Sequence, residues 1–265
     1  MSELPSAVSV RESGTGTPLV LLHAFPLNSS MWSAQLDALP GLTGDEVRVL
    51  APDQRGFGGT ELGHDEPSLD LVADDLALLL DAAGIDRAVL GGLSMGGYVA
   101  LAFARRHPDR LAGLLLANTR ATADTDTVRA DRERIAAAVT ARDGVGLLLD
   151  ERVAAKQLGP DSQHLVDRVQ TMVAAAPPAA VAWAQRAMAA RPDSLEVLAG
   201  IRVPVALLAG AQDALVPPEE AERMLAARPD ADLTVVPGVG HLSALESPGA
   251  FDTAVRRLLA RVAAG

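Results

Sequence analysis

The sequence predicts an α/β protein: a mostly parallel central sheet flanked by helices, with a helical cap inserted into it. Three observations predict this class. Short apolar runs of β type recur along the chain, several without polar alternation, as expected of strands buried on both faces. Longer stretches with apolar residues three and four apart separate them, the alternation that builds a parallel sheet with crossover helices. Between two of the runs, residues 121–200 hold charged, Ala-rich helical segments and no convincing strand. That divides the chain into a core, 1–120 with 201–265, and a cap, 121–200.

In order, the strand candidates are LVLLHA (19–24), VRVLAP (47–52), AVLGGL (88–93), LAGLLLAN (111–118), VPVALLAG (203–210) and DLTVVPG (232–238). SLDLVADDLALLLDAAG (68–84) reads as an amphipathic helix stopped by Gly84. A string of helix formers follows GLSMGG, and TVRADRERIAAAVTA and AAVAWAQRAMAA give the cap its helices. PPEEAERMLAA begins with prolines and acids suited to a first helical turn. The last helix runs from Pro248 to about Val262.

At 265 residues the chain can bury most of the surface its unfolded form would expose. Lys+Arg 23 against Asp+Glu 34 leaves a formal net charge of −11, a field that repels phosphate backbones and anionic membrane surfaces. Two tryptophans, one tyrosine and four phenylalanines, with no basic run among them, give nucleic acid nothing to stack on. The expected partner is a small-molecule substrate, not nucleic acid or a membrane. Cysteine is absent, which excludes disulfides, thiolate zinc sites and a cysteine nucleophile. No phosphate-binding loop or paired-histidine zinc motif is visible, so no cofactor and no metal are expected. The start lacks a basic region followed by an apolar stretch, and the reading is a soluble, cytoplasmic protein.

The chemistry concentrates at Gly92-Leu93-Ser94-Met95-Gly96. This GxSxG pattern follows a buried-strand run and opens a helix, a context in which a sharp turn lifts the hydroxyl above the sheet. A serine hydroxyl is a weak nucleophile and needs a base, itself oriented by a third group. Of the five histidines, His23, His64, His107, His164 and His241, the last sits in a glycine-containing loop just past the final strand run. That is the edge where open α/β sheets place their chemistry. Asp213 ends the preceding strand loop, in LLAGAQDALVPP. The chain order is therefore Ser94, Asp213, His241.

With these residues in place the sequence resembles the α/β-hydrolase superfamily, including its esterases, enol-lactonases and cofactor-free haloperoxidases. HAFPLNSSMW (23–32) is similar to the HGFP-type loop of that superfamily, APDQRGFGGTE to its DxRGxGxS turn, and PGVGHLSALESP to its histidine loop. Ala24 stands where glycine is usual. The resemblance implies that the backbone N–H groups of Phe25 and Met95 form an oxyanion hole and that His23 braces its loop. It implies a serine hydrolase that cleaves a carboxylic ester of a small, mainly apolar substrate through an acyl-enzyme. Lactone opening, C–C bond hydrolysis and perhydrolysis use the same triad, and a non-catalytic binder on the same scaffold is a further alternative.

The cap would cover the site, and its Val139, Leu147, Leu148, Leu149, Met172, Val173, Val181, Trp183 and Met188 are candidates for pocket or cap core. Among them Trp183 is singled out as the substrate-binding residue, because large aromatics are few. Arg120, just past the fourth run, is either a solvated arginine or one that meets a substrate carboxylate.

Overall fold

The computed structural model describes residues 8–42 and 46–265. Seven strands alternate with helices: β1 (Val10–Ser13), β2 (Thr17–Leu22), α1 (Ser33–Leu42), β3 (Val47–Pro52), α2 (Leu69–Ala82), β4 (Ala88–Leu93), α3 (Met95–Arg106) and β5 (Leu111–Ala117). The cap segment follows with α4 (Asp126–Arg142), α5 (Gly146–Asp150), α6 (Val153–Lys156), α7 (Val166–Ala174), α8 (Pro178–Ala190) and α9 (Leu195–Gly200). The chain closes through β6 (Val205–Gly210), α10 (Pro218–Ala227), β7 (Asp232–Val236), α11 (Ser243–Glu246) and α12 (Pro248–Ala263).

The strands form one sheet in the order β1-β3-β2-β4-β5-β6-β7. Every pairing is parallel except that of β1 with β3. β4 and β6 are buried at all six positions, so both faces must be covered, and their apolar sequences follow from that. α1 and α12 pack on one face, and α2, α3 and α10 on the other. Parallel pairing throughout the centre brings the C-terminal ends of β2, β4, β5, β6 and β7 to one edge, where the chain can reverse between neighbouring loops.

Local chemistry accounts for the element ends. Ser68 caps α2 by accepting the Asp70 N–H at 3.2 Å, and Gly84 follows the helix at φ +65°, in the left-handed region a C-terminal glycine favours. Thr125 caps α4 by accepting the Val128 N–H at 3.4 Å. Arg55, in the loop after β3, is buried and donates twice to Asp75 of α2 at 2.8 Å, with Asp65 at 2.9 Å.

Two elements lie outside the sequence expectation. β1 is an edge strand of four residues, exposed at its two middle positions and partly buried at its ends, and only its pairing with β3 makes it a strand. α1 carries Pro40 inside it and is held by packing on β3 and α12. Residues between β5 and β6 are helical, with no strand among the described residues there, and α4 and α8 pack as a pair. α9, at the end of the expected cap span, packs on α3 and α10 instead and so sits with the core. Among the described residues, no helix is long and apolar enough to cross a membrane.

Candidate active site

Ser94 occupies the turn between β4 and α3, with φ 57° and ψ −115°. An L-residue held there carries strain of about 1–3 kcal/mol, which the surroundings must offset. They do so through three contacts. The Ser94 N–H donates to the Ala117 carbonyl at 3.0 Å, and its own carbonyl accepts the Gly97 N–H at 2.9 Å and the Thr119 hydroxyl at 2.8 Å. The flanking glycines are required by close approach. A Cβ at Gly92 would lie 2.3 Å from the Gly96 carbonyl oxygen, and one at Gly96 would lie 2.1 Å from the Leu22 carbonyl oxygen. Without side chains there, α3 presses against the ends of β2 and β4 and leaves the Ser94 hydroxyl raised.

The loops after β6 and β7 bring the other two predicted residues to the same spot. His241 Nε2 lies 2.8 Å from Ser94 Oγ, and His241 Nδ1 lies 2.8 Å from Asp213 Oδ2. An ionised carboxylate only accepts, so Nδ1 carries the ring proton and Nε2 is left to accept from the serine hydroxyl. Both His241 and Asp213 are buried. Asp213 Oδ1 accepts the N–H groups of Leu215 and Val216, each at 2.9 Å, and Oδ2 also accepts the Asn118 amide at 2.9 Å. Burial alone would push the Asp213 carboxyl up; the facing His241 ring, the Val216 N–H and the Asn118 amide outweigh it and hold the group below the usual carboxylate range.

Three supporting residues are not singled out by the sequence, although Glu246 lies within the PGVGHLSALESP run. Asn118 stands at φ 46° just past β5 and donates both to Asp213 and to the Gly240 carbonyl, at 3.0 Å. Its one signal is position, a polar residue ending an apolar run beside the strand that leads to Ser94. Glu246 ties the histidine loop by accepting the N–H groups of Gly240 and Leu242 at 2.9 Å and of Gly159, from the cap segment, at 2.7 Å. Gln157 joins cap to core: its carbonyl accepts the His241 N–H at 2.9 Å and its amide donates to the Phe25 carbonyl at 3.0 Å.

The loop after β2 is built around His23, which is fully buried. The Gln54 N–H donates to His23 Nε2 at 3.0 Å, which leaves Nδ1 protonated and donating to the Ala24 carbonyl at 3.0 Å. Gln54 also donates its side-chain amide to the His23 carbonyl at 2.7 Å. Burial lowers the His23 pKa to about 4, so the ring is neutral at ordinary pH. Ala24 is wholly buried and its methyl group is accommodated in the core. Met95 begins α3, where the first N–H groups have no partner within the helix, and Phe25 lines the cleft above Ser94.

That cleft has a volume of about 280 Å³ and is also lined by His241, Arg120 and Gln157. Leu148 and Met188 of the cap line it, whereas Val139, Val173 and Val181 are fully buried as the cap's own core. Trp183 does not line it, contrary to the sequence expectation. Its indole N–H donates to the Asp65 carbonyl at 2.9 Å, because the face of α8 that carries it docks on the loop between β3 and α2. Asp124, Asp131, Arg132 and Gln185 join Arg120 on the cleft wall, beside apolar residues such as Ile135 and Val153. Among the described residues there is no group of three or more potential metal-ligating side chains.

Residues 19–254 match the model of the alpha/beta hydrolase family. The chain is similar to a thermophilic esterase from Thermogutta terrifontis, solved with malate bound: 39% identity, TM-score 0.90, covering 96% of this chain and 93% of that one. It is 34% identical to the pimeloyl-[acyl-carrier protein] methyl ester esterase of Aromatoleum aromaticum over 242 residues, 87% of this chain and 93% of that protein. The enol-lactonase from Burkholderia xenovorans LB400 shares its fold with a TM-score of 0.85 and 26% identity, covering 97% of this chain and 99% of the other. A family match over most of the chain, on a seven-stranded sheet of this order, makes the protein a member of the alpha/beta hydrolase family and a hydrolytic enzyme.

Proposed function

We propose that this enzyme cleaves carboxylic esters of small molecules through an acyl-enzyme on Ser94. The observation that carries the reading is the unbroken file of hydrogen bonds from Ser94 Oγ through the His241 ring to Asp213, 2.8 Å at each of its two steps. In this reading His241 Nε2 takes the hydroxyl proton as Oγ attacks the ester carbonyl, and Asp213 stabilises the imidazolium that forms. The N–H groups of Phe25 and Met95 stabilise the tetrahedral oxyanion. The imidazolium then protonates the departing alcohol. Water, losing a proton to the same ring, attacks the acyl carbonyl, and Ser94 leaves with that proton as the acid is released. The esterases among its relatives point the same way, and a net charge of −11 suits a small-molecule substrate in the cytoplasm better than a polyanion.

The test is turnover of short p-nitrophenyl esters by the pure protein. Ser94→Ala is expected to lower kcat by about 10⁴ or more, and a fluorophosphonate probe to label the folded wild type but not the variant. Undiminished turnover in Ser94→Ala would overturn the reading. Absence of labelling in the wild type would favour a non-catalytic binder. The likeness to an enol-lactonase over nearly the whole of both chains supports a second reading, lactone opening by the same triad. A panel of lactones and esters, with vinylogous diketones for C–C cleavage and acetate plus peroxide for perhydrolysis, ranks these by kcat/KM.

A further inference from the structure

The charged groups on the cleft wall are matched in pairs, with one exception. Arg132 donates through Nε to Asp124 at 2.5 Å and through Nη1 to Gln185 at 3.0 Å. The other Asp124 oxygen accepts Arg191 at 2.8 Å, so both oxygens of that buried carboxylate are occupied. Asp131 accepts from Arg134 at 2.8 Å. Arg120 has no acidic partner among the described residues. Its one hydrogen bond runs from Nη2 to the Leu215 carbonyl at 2.7 Å, and its Nε is buried with no acceptor.

Position makes this cation more than a surface arginine. Arg120 follows Thr119, whose hydroxyl holds the Ser94 carbonyl, and it lines the same cleft as Ser94 and His241. The Leu215 carbonyl that anchors it belongs to the Asp213 loop, whose Leu215 N–H is fixed by Asp213 Oδ1. The guanidinium is therefore anchored at its tip to the Asp213 loop, and its chain neighbour Thr119 is bonded to the Ser94 carbonyl. A guanidinium stays charged at any working pH and matches a planar two-oxygen anion with paired donors. The buried Nε is out of a ligand's reach, so a carboxylate in the cleft would be received by the Nη donors that the Leu215 carbonyl leaves open.

We propose that Arg120 recognises a free carboxylate on the substrate, so that the preferred ester is a half-ester of a short dicarboxylic acid. The cleft of about 280 Å³ suits such a molecule, with apolar Leu148 and Met188 against its methylene chain. The proposal rests on the ester-hydrolase reading of the same site and adds the chemical class of the substrate.

The experiment compares monomethyl glutarate with dimethyl glutarate, equal in skeleton and different in one charge. In the wild type the half-ester is expected to have the higher kcat/KM by about tenfold or more, through KM, the range of a charge-assisted hydrogen-bonded pair. Arg120→Gln is expected to collapse that ratio to near one, and Arg120→Lys to restore part of it. If Arg120 only braces the Asp213 loop, both esters lose together and the ratio keeps its wild-type value, which overturns the proposal; a wild type indifferent to the charge overturns it too. Binding of glutarate itself to Ser94→Ala protein, followed by calorimetry, separates the two readings. Binding lost on adding Arg120→Gln supports carboxylate recognition even if no ester is turned over, and binding unaffected by that substitution refutes it.

Discussion

At pH 7 the His23 ring is neutral and fully buried, with the Gln54 N–H donating to one nitrogen and the Ala24 carbonyl accepting from the other. Its pKa stands at about 4 in the folded protein against 6.5 for an unperturbed histidine, chiefly because burial penalises the cation. Above pH 6.5 the ring is neutral in both states and contributes no pH dependence. Below that, the unfolded chain takes up a proton that the folded one refuses, so stability falls as pH drops from 6.5 towards 4. A gap of about 2.5 pH units at 1.36 kcal/mol each amounts to about 3 kcal/mol over the whole window. Urea unfolding of wild type and His23→Asn at pH 7 and pH 4.5 tests this, the acid end of the window being avoided so that carboxylates contribute less. Each protein is compared with itself, because the variant also loses hydrogen bonds at neutral pH. The wild type is expected to lose about 2–3 kcal/mol more than the variant on acidification. Parallel losses in the two proteins would show that His23 is not the group responsible.

Two further substitutions follow from contacts in the site. Asn118→Ala removes one donor from Asp213 Oδ2 and the partner of the Gly240 carbonyl, and is expected to lower kcat for short aryl esters about tenfold with little change in KM. An unaltered kcat would remove Asn118 from the support of the acid. Trp183→Phe keeps an aromatic ring but loses the pyrrole half of the indole and its hydrogen bond to the Asp65 carbonyl, and should lower Tm by about 2–4 °C. Its kcat/KM on the same esters is expected to stay within about twofold, and a tenfold change would return the indole to the substrate's path.

What the sequence revealed and what it hid divide along physical lines. Runs such as AVLGGL were legible because β4 is buried on both faces, and total burial leaves no room for polar residues. β1 was not legible, since a four-residue edge strand with exposed positions owes its conformation to β3 and not to its own pattern. Ser94, Asp213 and His241 could be named because each falls in a loop at a strand end, and parallel strands send those ends to a common edge. Asn118 and Gln157 gave no comparable signal. Their partners lie far along the chain, 132 residues apart for Gln157 and Phe25, and nothing short of folding reveals such pairs. The choice of Trp183 failed for a related reason: size marks a residue as important to packing, but which way a helix turns it depends on what the helix docks against. A short helix such as α9 reads the same in sequence whether it packs on the cap or, as here, on α3 and α10.

Gln157 is a cap residue that holds the backbone of the base and the backbone beside the proposed oxyanion site at once. The inserted segment is thus not an exchangeable cover. Grafting a different cap onto this enzyme to alter its substrate range would disturb the alignment of the imidazole unless the graft reproduced that two-sided clasp. Specificity and turnover in this protein are therefore expected to change together when the cap is redesigned, and to be separable only by changes confined to α4 and α8.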